Sequence, residues 1–346
     1  MTKLLGAAAA LALLAAADTA YAARDYVWAA GSSTVFPFST RVAENYAKKT
    51  GKKSPKVESL GTGGGIKMFC GGMGEKYPDV ANASRPMKKS EFEACKKAGV
   101  KDIVELKIGF DGIVVAMDKK SPDYNFKLEH LYLGLADQTL RGGQLVKNPY
   151  KSWSEVGQGL PKTRILVYGP PPTSGTRDAW VELGIEGGAG KLPVLAKLKA
   201  DDEKAFKAKV APMRTDGGWV DAGENDNAII GTIQKTPNAL GVFGYSFLEQ
   251  NANSIKAASI NGVKPTIQTI TSGAYPISRS LYIYVKKGQI GVTPGLKEFV
   301  NEFVSDAATG RGGYLQSRGL IPLPVQQHDA NKAKSKSLPV MAAPKS

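Results

Sequence analysis

Histidine and cysteine are scarce: the 346 residues hold two of each, His130 and His328, Cys70 and Cys95. A structural zinc site takes four ligands, usually Cys and His, and an ordinary Ser-His-Asp site needs a histidine beside its nucleophile. Neither can be assembled easily here, so no metal site, no catalytic residue and no cofactor is expected. Neither cysteine has a histidine near it in sequence, which argues against a catalytic thiolate. Apolar runs after the first twenty residues are short and interrupted, well below the roughly 20 residues that a membrane helix needs. The 39 glycines and 20 prolines show no triplet period, which excludes a collagen-like chain and leaves many turns. No repeat of 20–50 residues, no Gly-Lys-Ser/Thr ending of a Walker loop and no dinucleotide fingerprint is present. Acidic residues are also in deficit, 31 against 46 Lys and Arg. The net charge of +15 points to an anionic ligand or partner.

At about 100–200 residues per domain, the length suggests two domains. With 42% hydrophobic and 22% charged residues, most of the chain can bury a core. The N-terminus reads as an export signal over residues 1–22. Lys3 is its positive region, Leu4 to Ala17 its apolar run, and Ala20-Tyr21-Ala22 its small-x-small cleavage site, with cleavage after Ala22. In an oxidising compartment, cysteines 25 positions apart are expected to pair as Cys70–Cys95, the alternative being two buried free thiols.

Short β-rich runs alternate with helical patterns. Tyr26 to Ala30, Asp79 to Ala83, Val104 to Lys107, Gly112 to Met117, Gly241 to Tyr245 and Leu281 to Val285 read as strands. Residues 37–49, 88–98, 177–183, 224–236 and 294–306 read as helices. That order predicts an α/β fold with parallel or mixed sheets. From residue 327 to 346 the composition turns Lys-, Ser-, Ala- and Pro-rich and reads as a flexible basic tail.

Three junctions between strand and helix share one chemistry: Gly31-Ser32-Ser33-Thr34, Gly61-Thr62-Gly63-Gly64-Gly65 and Thr173-Ser174-Gly175-Thr176. A helix start exposes unpaired N–H groups and carries partial positive charge. Glycine lets the backbone approach closely, and the hydroxyls add donors. One such junction is usually only an N-cap; three in a basic chain point to a neutral, donor-rich cradle for an oxyanion.

The order and spacing of these motifs resemble the phosphate-binding protein of bacterial ABC transporters (the PstS type). The likeness runs through Ala30-Gly31-Ser32-Ser33-Thr34-Val35-Phe36-Pro37, Gly61 to Lys67, Asp79-Val80-Ala81-Asn82-Ala83-Ser84 and Ser174-Gly175-Thr176. It continues in Gly223-Glu224-Asn225-Asp226-Asn227 and in Ala239 to Tyr245, and covers about residues 26–325. The resemblance implies a two-lobed type II periplasmic binding protein, with a mixed sheet flanked by helices in each lobe and a double-crossing hinge. Lobe one would be 24–109 plus 278–326 and lobe two 110–277, crossing near Gly109–Gly112 and Tyr275–Arg279.

Carried over residue by residue, the resemblance implies a ligand set of Ser33, Thr34, Val35, Thr62 and Gly63 with Ser174, Gly175 and Thr176. It further implies a monomeric periplasmic protein that hands inorganic phosphate, or a related oxyanion, to ABC permease subunits. No cofactor or nucleic acid enters that picture.

Two positions depart from the family's pattern. The usual Asp after Ala-Ser is missing, and Ser84 or Arg85 stands there. The usual Arg before Ser-Gly-Thr falls in Pro170-Pro171-Pro172, so Arg177 and Arg85 become the candidate guanidiniums, suited to a bidentate grip. A carboxylate that accepts the proton of hydrogenphosphate would have to come from Asp111, Asp178, Glu224 or Asp226. Lys96-Lys97, Lys119-Lys120 and Lys286-Lys287 read as solvated faces rather than a nucleic-acid path, and His130 as a packed or capped residue. Two other functions compete with capture: hydrolysis of phosphate esters by an exported enzyme, and binding of anionic surfaces through the 327–346 tail.

Overall fold

The computed structural model describes residues 24–345; the export signal expected at 1–22 lies outside them. Eight strands of a nine-stranded sheet form one continuous path of pairing, in the order Lys56–Ser59, Trp28–Gly31, Val80–Ala83, Ser278–Lys286, Ile103–Asp118, Leu240–Gly244, Val167–Gly169 and Trp219–Asp221. Ile255–Ala257 adds to the far end of Ile103–Asp118. Trp28–Gly31 runs parallel to both of its neighbours, each connection passing through a helix, as a parallel pair requires.

One 16-residue strand, Ile103–Asp118, takes the place of the two separate runs expected there. Its first part pairs with Ser278–Lys286 and its second with Leu240–Gly244. The register slips between Leu281 and Tyr282, opposite Ile108 and Gly109, and such a bulge bends a strand. Gly109 has room for no side chain, since a Cβ would come within 2.8 Å of Ile321 O. Phe110 and Ile321 exchange two backbone hydrogen bonds of 2.9 Å, so a third stretch of chain meets the strand at this bend.

Apolar side chains divide on either side of the bend. Beyond it, Ile113–Met117, Leu131, Trp180, Ile229 and Phe243 belong to one core, joined by Ile321 and Leu323 from the late chain. Before it, the strands alternate. Val80, Val104 and Ile283 face the helices Phe36–Thr50 and Leu296–Phe303 on one side. Ala81, Ile103 and Tyr284 face Ile66, Phe69 and the cysteines on the other. Cys70 and Cys95 are joined, tying the end of helix Gly61–Phe69 to helix Lys89–Lys97.

Two expectations are corrected. The C-terminal residues are not a flexible tail: Val325–Ser337 is a helix with His328, Asn331 and Ser335 buried. Asn331 donates to Lys107 O, and Leu338 enters the first-half core. The composition reads as disordered because the helix is secured at only a few positions, while its lysines stay outside. Lys286 is not solvated either. It is 1% exposed, its ammonium donates to Gly72 O at 2.5 Å, and burial pushes its pKa down to about 8.

Candidate functional site

The first strand ends at Gly31, and the chain turns through Ser32, Ser33 and Thr34 into helix Phe36–Thr50. Ser32 N–H donates to Asn82 O at 2.9 Å, and Ser32 Oγ accepts the N–H of Val35 at 3.3 Å. Val35 is fully buried, so the donor expected at its N–H is already used. Helix Gly61–Phe69 lies directly on this strand because Gly65 has no side chain: a Cβ there would sit 2.2 Å from Gly31 Cα. That contact brings Thr62 to Ser84. The two hydroxyl oxygens are 3.0 Å apart, and Ser84 N–H donates to Thr62 Oγ1 at 3.1 Å.

From the other half, Ser174 caps helix Gly175–Trp180, accepting Thr176 N–H at 3.2 Å. The two halves touch here. Thr34 Oγ1 donates to Gly175 O at 3.3 Å, and a Cβ on Gly175 would lie 2.6 Å from Ser33 O. Only glycine permits that approach.

The expected guanidiniums are engaged within their own halves. Arg85 forks onto Glu91 at 2.9 and 2.7 Å. Burial alone would raise the pKa of Glu91, but Arg85 and the Lys88 N–H outweigh it and hold the carboxylate below its ordinary range. Arg177 donates to Pro170 O at 2.9 Å and Asp221 at 2.6 Å, and lies 4.7 Å over the Trp219 ring.

A third arginine, which sequence reasoning placed only at a hinge crossing, occupies the junction itself. Arg279 is the register partner of Asp111 on the adjoining strand. Its side chain is 7% exposed; Nη2 donates to Thr34 Oγ1, Nη1 to Glu182 at 2.6 Å, and Nε faces Asp111 Oδ2 at 3.6 Å. Asp111 Oδ2 and Arg279 Nε are both buried with no hydrogen-bond partner among the described residues. Burial raises the pKa of Asp111, against the pull of Arg279. Nearby, burial pushes Asp226 up to about 6, helped by the charges of Glu224 and Asp111. An arginine in Ser278-Arg279-Ser280, heading a strand at a predicted crossing, was the available signal for this residue.

Two cavities meet at Ser33 and Thr34. The larger, about 1010 Å³, is lined by Thr62, Gly63, Ser84, Arg85, Arg177 and Arg279 among others. The smaller, about 620 Å³, is lined by Ser174, Gly175, Thr176, Asp111, Glu224 and Asp226 among others. Ser33 and Thr34 therefore adjoin every expected donor except Val35, while the Thr62 and Ser174 groups lie on opposite sides of the Gly175 contact. Among the candidate acceptors, Asp178 lines the larger cavity and the other three the smaller. The walls offer hydroxyls, backbone N–H groups and one buried fork, a set able to replace the hydration of a small oxyanion.

Known proteins resemble this chain in sequence and fold. A family model described as the PBP superfamily domain matches residues 16–307. The chain is similar to protein SphX of Synechococcus elongatus, at 31% identity over 340 residues, covering 96% of this chain and 88% of that protein. It is similar to the phosphate-binding protein PstS of Staphylococcus saprophyticus, at 28% identity over 309 residues, covering 88% and 82%. The crystal structure of a possible phosphate binding protein from Planctomyces limnophilus superposes with a TM-score of 0.71 at 28% identity, covering 90% of this chain and 98% of that one. An ABC-type phosphate transport receptor from Vibrio cholerae, at a TM-score of 0.56, 20% identity and coverage of 86% and 100%, shares the fold. The mixed α/β architecture is that of type II periplasmic binding proteins. With 292 residues matched by the family model and near-complete coverage by SphX, the chain belongs to the PBP superfamily.

Proposed function

We propose that this protein is an exported solute-binding protein that captures inorganic phosphate, or a close tetrahedral oxyanion, between its lobes and delivers it to an ABC permease. No bond is made or broken. The lobes are residues 24–109 with 278–326, and residues 110–277. They close about the paired strands at Gly109–Gly112 and Tyr275–Arg279, in the manner of hinge closure around a ligand. Export by a signal cleaved after Ala22 places the protein in the periplasm, as a monomer. The names of its relatives, PstS and phosphate-binding protein, support the ligand class.

The observation that carries the reading is the buried Arg279 fork at the contact between halves, facing Thr34 and flanked by Thr62 and Ser84. Ser33, Thr34, Thr62, Gly63, Ser84 and Arg279 grip the anion from one side. Ser174, Gly175 and Thr176 close on it from the other, with Arg85 and Arg177 at the walls. Asp111, with its unpartnered buried oxygen, accepts the proton of hydrogenphosphate. A carboxylate at that place favours a protonated oxyanion and repels sulfate, which carries no proton at neutral pH.

Calorimetric titration of the dialysed mature protein with phosphate, arsenate, sulfate and a phosphonate, between pH 5 and 8.5, tests this. Phosphate and arsenate are expected to bind and sulfate to bind at least about 100-fold more weakly, the worth of a buried polar group left unpaired. Equal affinity for sulfate removes the role of Asp111, and silence toward all four removes the function.

A further inference from the structure

Arg279 already holds an anion, and it is part of the chain. Glu182 Oε2 accepts from Nη1 at 2.6 Å, across 97 positions of sequence. The arginine side chain is 7% exposed and the glutamate side chain 50%, so a carboxylate reaches from solvent onto a buried cation. Both residues line the larger cavity with Thr34, Thr62 and Ser84. Glu182 lies in the single π-helical turn Val181–Glu186, which continues the helix that Ser174 caps.

Other acidic residues of this cavity have different attachments. Glu91 is fixed by both nitrogens of the Arg85 fork and by a backbone N–H. Glu203 pairs with Lys207 one helical turn away. The Glu182 carboxylate makes one hydrogen bond among the described residues, and it is the bond to Arg279.

We propose that Glu182 is a tethered counter-ion: it occupies the place of the oxyanion on Arg279 while the cleft is empty and is displaced when a free anion enters. The inference rests on the oxyanion reading above. Two anions cannot share one guanidinium edge without strong repulsion, so the ligand's affinity is reduced by the fraction of molecules in which the carboxylate is seated. The tether offers only one hydrogen bond. A tetrahedral anion offers Arg279 two acceptors and has others left for Thr34, Thr62 and Ser84, so it displaces Glu182, whereas a small monoanion such as chloride does not. Glu182 thus neutralises Arg279 in the empty protein and raises the threshold for occupancy.

The test titrates wild type, Glu182→Gln and Glu182→Asp with inorganic phosphate by calorimetry, each with and without excess chloride. Glutamine keeps the shape and removes the charge; aspartate keeps the charge on a stem too short to reach the fork. Both variants are expected to bind phosphate about two- to fivefold more tightly than wild type, the worth of one half-exposed ion pair. Chloride should weaken phosphate binding more in the variants than in wild type. Wild type that binds phosphate alongside variants that bind equally or less well overturns the tethered counter-ion and leaves the oxyanion reading intact. A Glu182→Gln protein that only melts earlier, with phosphate affinity unchanged, shows an ordinary structural ion pair and overturns it as well. Absence of phosphate binding in all three overturns both.

Discussion

Replacing Arg279 by glutamine separates the two jobs that the structure gives this side chain. The fork is 7% exposed, bridges Thr34 and Glu182, and faces a buried carboxylate at 3.6 Å. A hydrogen bond to a charged group contributes about 1.5–3 kcal/mol. Loss of a bidentate grip should therefore weaken phosphate binding by about 3 kcal/mol, or roughly 150-fold. The same change leaves Asp111 without the only cation paired with it among the described residues, and breaking a buried pair costs about 3–5 kcal/mol. Burial already raises the pKa of Asp111, and without Arg279 it rises further. A carboxyl whose folded pKa is raised stabilises below its unfolded pKa and loses that contribution as pH climbs through the folded value. The stability deficit of Arg279→Gln should thus be largest above neutral pH and shrink in acid.

Adding Asp111→Asn should recover most of the stability and none of the affinity, a coupling that a double-mutant cycle reads directly. Denaturant titration at pH 5 and 8, with calorimetry on the same four proteins, gives every quantity. A folded Arg279→Gln protein that binds phosphate within threefold of wild type would refute the reasoning.

Three further outcomes follow from the geometry. Breaking the Cys70–Cys95 link, which spans 25 positions, by the double change to serine should cost about 3.5 kcal/mol of stability in chemical denaturation, from loop entropy regained by the unfolded chain. Asp226, pushed up to about 6, favours the folded state while protonated; Asp226→Asn should match wild type near pH 4 and exceed it by about 2–3 kcal/mol at pH 8, in denaturant midpoints converted to free energy. Deleting residues 325–346 removes the buried Leu338 and the Asn331 bond to Lys107; it should cost about 3 kcal/mol or more in stability and leave calorimetric phosphate affinity unchanged, whereas binding through a basic tail would be lost.

The legible parts of the site are the local ones. Strand-to-helix junctions rich in Gly, Ser and Thr show in the sequence because neighbouring residues create them; Thr34 lines both cavities, Thr62 the larger and Ser174 the smaller. The α/β order was readable for the same reason; the capping role of His130, whose ring accepts the Lys127 N–H, emerged only from the structure. Less visible were the ends of elements, where two expected runs merged into Ile103–Asp118, and the ordering of the C-terminal residues, which depends on a surface far away in sequence.

The α/β order and the Gly-, Ser- and Thr-rich junctions were legible in the sequence alone, since each rests on residues a few positions apart. Only the tertiary structure could choose among the arginines. Arg85 and Arg177 find acids within their own halves, 6 and 44 positions away, while Arg279 reaches Thr34 over 245 positions because two strands pair in one register. Which guanidinium reaches across the contact between halves, which carboxylate stays buried and unpartnered, and which one sits over the cavity are all set by strand pairing and by the approach that Gly175 allows. Such long-range contacts have no local signature.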